Sequence, residues 1–267
     1  MDKRTAEDIK KLKLNGEKIV MVTCYDATMA KILSKSDTDM LLVGDSVGMT
    51  KLGYKDTLPV TMEDMIHHTK AVANGTDKEK VVLVTDMPYK SYEDNPKLAV
   101  ENAKKLISSG ADMVKLEGGV EIIESIKAII NEGIKIVGHL GLMPQSIEKM
   151  GGYKVQCKDE QSQKKLLEDA LLLEKEGVSL IVLEGIPEQV AKMVTDKLSI
   201  PTIGIGAGKY CDGQVLVSDD MLGMFTDFTP KFVKKYANLA ETIQNAAKQY
   251  SYEVKNNIFP EEGNTYK

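Results

Sequence analysis

Short apolar runs that close on a polar residue recur along this chain. Met40-Leu-Leu-Val43 ends in Gly44, Asp45 and Ser46. Val81-Val-Leu-Val84 ends in Thr85 and Asp86, and Met113-Val-Lys115-Leu-Glu117 ends in Gly118-Gly119. Lys135-Ile-Val137 ends in Gly138 and His139, and Leu180-Ile-Val-Leu183 in Glu184. The runs are mostly unbroken rather than alternating, as expected of parallel strands buried on both faces. With Ile19–Cys24, Pro201–Gly206 and Gln214–Val217 they predict eight strands.

Between them the apolar positions take helical spacing. Helices are predicted at Thr5–Leu14, Ala27–Lys35, Thr61–Asn74, Pro96–Ser109, Glu121–Asn131, Gln161–Glu176, Pro187–Lys197 and Pro230–Gln249. Gly75 takes the glycine cap position after its helix, and Gly110 ends the helix before it. A longer polar stretch spans Gly141–Asp159. Strand alternating with helix predicts an α/β chain whose parallel sheet is covered by helices. A (β/α)8 TIM barrel with a short N-terminal helix fits the strand count, and 267 residues fit its usual ~250. A doubly wound open sheet is the competing architecture. No linker or composition shift divides the chain, so a single domain over 1–267 is expected, with a polar tail from about Lys255.

Composition narrows the function. A formal net charge of −5, with both signs mixed along the chain, argues against sequence-independent nucleic-acid binding. No apolar run approaches the ~20 residues of a membrane span. The N-terminus has no apolar signal core, which predicts a cytoplasmic chain. Cys24, Cys157 and Cys211 lie far apart and form no CxxC or Cys/His cluster, so neither a zinc site nor a disulfide framework is expected.

Chemistry is expected at the C-terminal strand ends, where barrels of this kind keep it. Asp45, Asp86 and Glu117 end three successive strands, which lie ~5 Å apart. Three such acids repel one another unless a cation neutralises them, and an all-oxygen set suits Mg²⁺. The alternative is that each acid caps the following helix. Lys115 precedes Glu117 by two positions and shares its face of the strand, where it serves an anionic substrate group, an ion pair with the acids, or both. Glu184 ends strand six, across the barrel from the acids. It is a candidate general base for a carbon acid, or a helix-capping acid before Pro187. His139 reads as a substrate-contacting or orienting residue, because a hard oxygen site does not need imidazole. Of His67 and His68, both mid-helix, one is expected to face solvent. Gly204, Gly206 and Gly208 offer a weak anion cradle, or simply room for close approach. The chain has no GxxxxGK[ST], no GxGxxG in a dinucleotide-binding setting and no Gly-x-Ser-x-Gly elbow.

Several segments, taken in order, resemble the ketopantoate hydroxymethyltransferase family. They are 41–49 (LLVGDSVGM), 57–62 (TLPVTM), 113–119 (MVKLEGG), 138–146 (GHLGLMPQS), 151–156 (GGYKVQ), 201–208 (PTIGIGAG) and 211–217 (CDGQVLV). The resemblance runs from about Thr5 to Tyr236. It implies a barrel of the phosphoenolpyruvate/pyruvate-like group. It also implies transfer of a hydroxymethyl group from 5,10-methylenetetrahydrofolate to 3-methyl-2-oxobutanoate, through a Mg²⁺-stabilised enolate. The product would be 2-dehydropantoate, a precursor of pantothenate and coenzyme A.

Carried over residue by residue, the resemblance places the metal on Asp45, Asp86 and Glu117. It places substrate contacts on Asp45, Ser46, Asp86 and Lys115, and the general base on Glu184. It also implies a homodecamer. Because the folate carries no phosphate, the glycines after strand seven read better as shape. The chain departs from the family pattern at Cys24, at Lys90 and Cys157, where glycine is common, and at Gly185, where cysteine is. Lys158 stands where arginine is usual. The Lys90 change bears on loop conformation and folate access. Two rivals are a Mg²⁺-dependent carbon–carbon lyase acting on another 2-oxo acid and a non-catalytic barrel that binds 2-oxo acids. The lyase reading lacks its Lys-Lys-Cys-Gly-His type loop, and the non-catalytic reading predicts loss of a site carboxylate, yet all four are present.

Overall fold

The computed structural model describes residues 3–148 and 150–266. Met1 and Asp2 of the N-terminal segment, Lys149 of the 141–159 stretch and Lys267 of the tail lie outside the described residues. The chain divides into two compact units, Met1–Val217 and Ser218–Lys267. The division falls after the last strand, where the sequence carries no linker.

The first unit holds eight strands: β1 Ile19–Thr23, β2 Met40–Val43, β3 Val82–Asp86, β4 Met113–Glu117, β5 Lys135–Gly141, β6 Leu180–Glu184, β7 Thr202–Ile205 and β8 Gly213–Leu216. Neighbours in sequence pair in parallel, and β8 returns to pair with β1, closing the barrel. Its helices are α1 Ala6–Leu14, α2 Ala27–Leu33, α3 Val47–Thr50, α4 Met62–Gly75, α5 Pro96–Ser108, α6 Ile123–Asn131, α7 Glu160–Lys175 and α8 Glu188–Lys197. Among the described residues no helix is long and apolar enough to cross a membrane.

Alternate strand residues point into the barrel. Ile19, Met21, Met40, Leu42, Val82, Val84, Met113, Val137, Leu180, Val182, Ile203, Ile205 and Val215 form one buried cluster. Ile9 of α1 joins that cluster, with Ala6 and Leu12 packed against it. The helix therefore plugs the barrel at the N-terminal end of the strands. Thr5 caps it through a capping box with Asp8, and Lys13 Nζ bonds the carbonyls of Leu198 and Ile200 and pairs with Asp212 at 2.9 Å.

Three expectations are corrected. Gly75 is the last residue of α4, not a left-handed cap, and Thr76 caps the helix with extended backbone. A Cβ on Gly75 would run into the backbone of Ala27 at the start of α2, so the glycine lets two helices approach closely. β5 runs on to Gly141 instead of stopping at Val137, because it pairs along its length with both neighbours (Glu117 with His139, Gly141 with Glu184). His139 thus lies inside a strand. In the second unit the helix expected over Pro230–Gln249 begins only at Leu239 and runs on past Gln249. A short α9 spans Ser218–Met221, and α10 spans Leu239–Lys255. The N–H groups of Tyr236, Leu239 and Ala240 bond the carbonyls of Met221, Leu222 and Gly223, which draws this backbone away from a helical ladder.

Candidate active site

The same two-residue alternation that fills the barrel builds the site. Two positions beyond Val84 stands Asp86, beyond Met113 stand Lys115 and then Glu117, beyond Val137 stands His139, and beyond Val182 stands Glu184. Each is the next inward position above the apolar layers. Register sets Asp86 beside Lys115 and Glu117 beside His139. Asp45 follows β2, and its backbone N–H donates to Asp86 Oδ2 at 3.0 Å. Asp45, Asp86, Lys115, Glu117 and His139 are all buried, and Glu184 is partly so.

Lys115 Nζ is the hub. It lies 3.3 Å from Asp86 Oδ1, 3.6 Å from Glu117 Oε1 and 3.0 Å from His139 Nδ1. His139 Nδ1 is also 3.2 Å from Glu117 Oε1, and its Nε2 is 3.3 Å from Glu184 Oε2. Nδ1 accepts from Lys115 when the ring is neutral and donates to Glu117 when it is charged. Glu184 does not stand alone across the barrel, as the sequence suggests; His139 bridges it to Glu117. Ser46 Oγ, at the start of α3, shares a 2.8 Å hydrogen bond with Tyr25 OH. His68 Nδ1 lies 2.7 Å from the Tyr25 carbonyl, while His67 is exposed.

Two functional candidates escaped the sequence reading. Gln145 donates its backbone N–H to Glu117 Oε2 at 3.0 Å and its side-chain amide to Asp45 Oδ2 at 2.8 Å. Tyr92 OH accepts the Glu117 N–H at 3.0 Å and donates to Gln145 Oε1 at 2.7 Å. Both are buried polar side chains on loops, where no strand period points to them. The only sequence signal is that Gln145 falls in the 138–146 segment.

Electrostatics follow from burying several acids around one ammonium. Burial, then the Asp86 and Glu117 carboxylates, push Asp45 up to about 8, against the pull of Lys115 and the Gln145 amide. Burial also raises Asp86, with Lys115 and the Asp45 N–H opposing. Burial works against charge on Glu117 too, yet His139, Lys115 and the Gln145 N–H outweigh it and hold this carboxyl below its ordinary value. Burial and Lys115 oppose charge on His139, but Glu117 and Glu184 overcome them and push the ring to about 9. Lys115 is likewise raised: burial is outweighed by Asp86, Glu117, Asp45 and Glu184.

Such a site suits a divalent cation. Asp86 Oδ1 and Glu117 Oε1 are buried and held only by the charges of Lys115 and His139, while the other oxygen of each accepts a backbone N–H. Among the described residues no three His, Cys, Asp or Glu side chains close a ligand shell by themselves. Mg²⁺ typically takes one or two carboxylates and keeps several waters, so an open oxygen set fits it. The glycines after β7 show no ligand cradle. The space beside Gly204 is taken by Gln214 and Cys211, and that beside Gly208 by Glu188.

The closed parallel barrel, with acids, lysine and histidine gathered above its core, is a (β/α)8 fold that carries its candidate active site at the C-terminal ends of the strands. Solved structures of this fold include phosphonopyruvate hydrolase in complex with oxalate and Mg²⁺ (TM-score 0.63, 10% identity, 99% of this chain and 92% of that one). Another is 2,3-dimethylmalate lyase, itself a member of the phosphoenolpyruvate mutase/isocitrate lyase superfamily (TM-score 0.62, 15% identity, 100% and 92%). Residues 3–262 match the model of the ketopantoate hydroxymethyltransferase family. The chain is 53% identical to the 3-methyl-2-oxobutanoate hydroxymethyltransferase of Clostridium kluyveri over 100% of its length and 95% of that protein. It is 52% identical to that of Syntrophus aciditrophicus over 99% and 97%. The chain belongs to the ketopantoate hydroxymethyltransferase family.

Proposed function

We propose that this enzyme transfers the one-carbon unit of 5,10-methylenetetrahydrofolate, with one water, to 3-methyl-2-oxobutanoate as a hydroxymethyl group, giving 2-dehydropantoate for pantothenate and coenzyme A synthesis and releasing tetrahydrofolate. The observation that carries the reading is the inward rank of Asp86, Lys115, Glu117, His139 and Glu184, with Asp45 beside it, in a chain 53% identical to a curated enzyme of that name.

Asp45, Asp86 and Glu117 would hold Mg²⁺, and the buried Asp86 Oδ1 and Glu117 Oε1, which face cationic groups but accept no backbone N–H, support that assignment. When bound, the cation supplies a Lewis acid that draws electron density from the ketone of a 2-oxo acid. Glu184 accepts the proton from C3. Being partly exposed, it can be reached from the mouth of the barrel, and His139 Nε2 lies 3.3 Å from its Oε2. The Lys115 ammonium faces the substrate oxygen on which negative charge grows, in a buried setting where such a contact counts for more than in water. Ser46, held by Tyr25, offers its hydroxyl to the substrate carboxylate.

Glu184→Gln tests the base. Turnover should fall by roughly 10²–10⁴, while calorimetry shows Mg²⁺-dependent binding of the oxo acid changed by less than about threefold, since the amide keeps size and drops only the base. Unchanged turnover would remove Glu184 from the mechanism.

A further inference from the structure

Each carboxylate assigned to the cation has one oxygen tied down inside the protein. Asp86 Oδ2 accepts the Asp45 N–H at 3.0 Å. Glu117 Oε2 accepts the Gln145 N–H at 3.0 Å, and Asp45 Oδ2 accepts the Gln145 side-chain amide at 2.8 Å. One residue therefore anchors two of the three acids, although they stand on different elements.

Gln145 is itself held without freedom. Its Nε2 also donates to the Met87 carbonyl at 3.0 Å, and its Oε1 receives the Tyr92 hydroxyl at 2.7 Å. The amide cannot be turned round. The Met87 carbonyl can only accept, so Nε2 must face it and Asp45, which leaves Oε1 for the Tyr92 hydroxyl, itself also 3.1 Å from the Glu117 carbonyl. A directed circuit results: Glu117 N–H to Tyr92, Tyr92 to Gln145, Gln145 side chain to Asp45, and Gln145 backbone back to the Glu117 carboxylate. Tyr92 is fixed in turn from α6, where Ser125 Oγ donates to its carbonyl at 2.6 Å, and α5 holds the preceding residue as Asn102 Nδ2 donates to the Ser91 carbonyl at 2.9 Å. Pro144 opens the turn that presents the Gln145 N–H, which has no partner within the turn itself.

A buried circuit of this kind is a costly way to gain stability, since apolar side chains of similar volume often do as well. Its effect is orientation. With Asp45 Oδ2 and Glu117 Oε2 engaged, the remaining oxygen of each acid is the one left for a cation.

We propose that Gln145, locked by Tyr92, is the positioning residue that sets Asp45 and Glu117 for the divalent cation. The proposal rests on the metal assignment above. Groups behind metal ligands typically contribute 10–100-fold to metal affinity.

Mn²⁺ alone is the probe, and unbound Mn²⁺ is read from its paramagnetic resonance signal in titrations of the full-length protein. Gln145→Met keeps the volume and the backbone N–H but removes the amide, and should raise the Mn²⁺ dissociation constant 10–100-fold. Tyr92→Phe, which keeps the ring, should raise it in the same direction by a smaller factor. In both variants kcat should recover to within about threefold of the parent once Mg²⁺ is raised to saturation. A purely structural role would lower kcat at every Mg²⁺ concentration. Thermal unfolding without metal checks the fold, and Tyr92→Phe keeps the test open if Gln145→Met unfolds. If Asp86→Asn loses Mn²⁺ while Gln145→Met and Tyr92→Phe keep parental affinity, the positioning role is wrong and the metal site stands. If the parent protein itself binds no Mn²⁺, the metal assignment fails and the positioning role falls with it.

Discussion

Lys90 and Cys157 occupy positions where the family resemblance leads one to expect glycine, and the backbone shows why. Their φ angles are +65° and +55°, in the left-handed region. Each keeps the conformation through a neighbour. Glu93 accepts the Lys90 N–H at 2.9 Å, and Gln163 Nε2 donates to the Cys157 carbonyl at 3.2 Å. The substitutions thus keep the glycine-like bend of their loops at the expense of local strain. That strain is about 1–2 kcal/mol for an L-residue, against about 0.4–1 kcal/mol for the extra freedom glycine has when unfolded. Cys157→Gly should therefore stabilise the protein by about 0–1.6 kcal/mol in a denaturant titration. A clear loss would mean that the side chain's contacts outweigh the strain. The thiol is no reactive group, because burial pushes it up to about 11.

Among the elements, α4 and β5 show where pattern reading runs out. The helical period and the Thr61 cap of α4 are plain in the sequence, and Thr61 forms a capping box with Asp64. The function of Gly75 is not, because its constraint comes from α2, distant in sequence. Helix propensity alone predicts that Gly75→Ala stabilises by about 0.5–1 kcal/mol. Close approach to Ala27 predicts overpacking at roughly 1–3 kcal/mol, which wins. Thermal unfolding of Gly75→Ala should show a loss, and a gain would restore the capping role. In β5, Gly138 hides the continuation of the strand, so its true length is visible only from its pairing with β4 and β6.

The barrel as a whole was legible because its signal is simple. Eight apolar runs, each buried on both faces, leave few architectures, and the polar residue two steps past each core position is written into the strand period. That is why Asp86, Lys115, Glu117, His139 and Glu184 could be named from sequence, and why the structure brings them within a few ångströms of one another. Loop residues carry no such period. Gln145 and Tyr92 matter through partners on other elements, and nothing local distinguishes them from ordinary turn and core residues. The late start of α10 is hidden for the same reason: the backbone bonds at residues 236–240 are set by residues 221–223. One reaction tests the function of this site most directly. Proton NMR should follow 3-methyl-2-oxobutanoate with the enzyme, 5,10-methylenetetrahydrofolate and Mg²⁺, alongside a sample containing a chelator. Hydroxymethyl signals of 2-dehydropantoate that appear with Mg²⁺ and vanish with the chelator are the predicted result. An unchanged oxo acid in both samples, with no metal-dependent loss of the C3 proton in deuterated water, would contradict it.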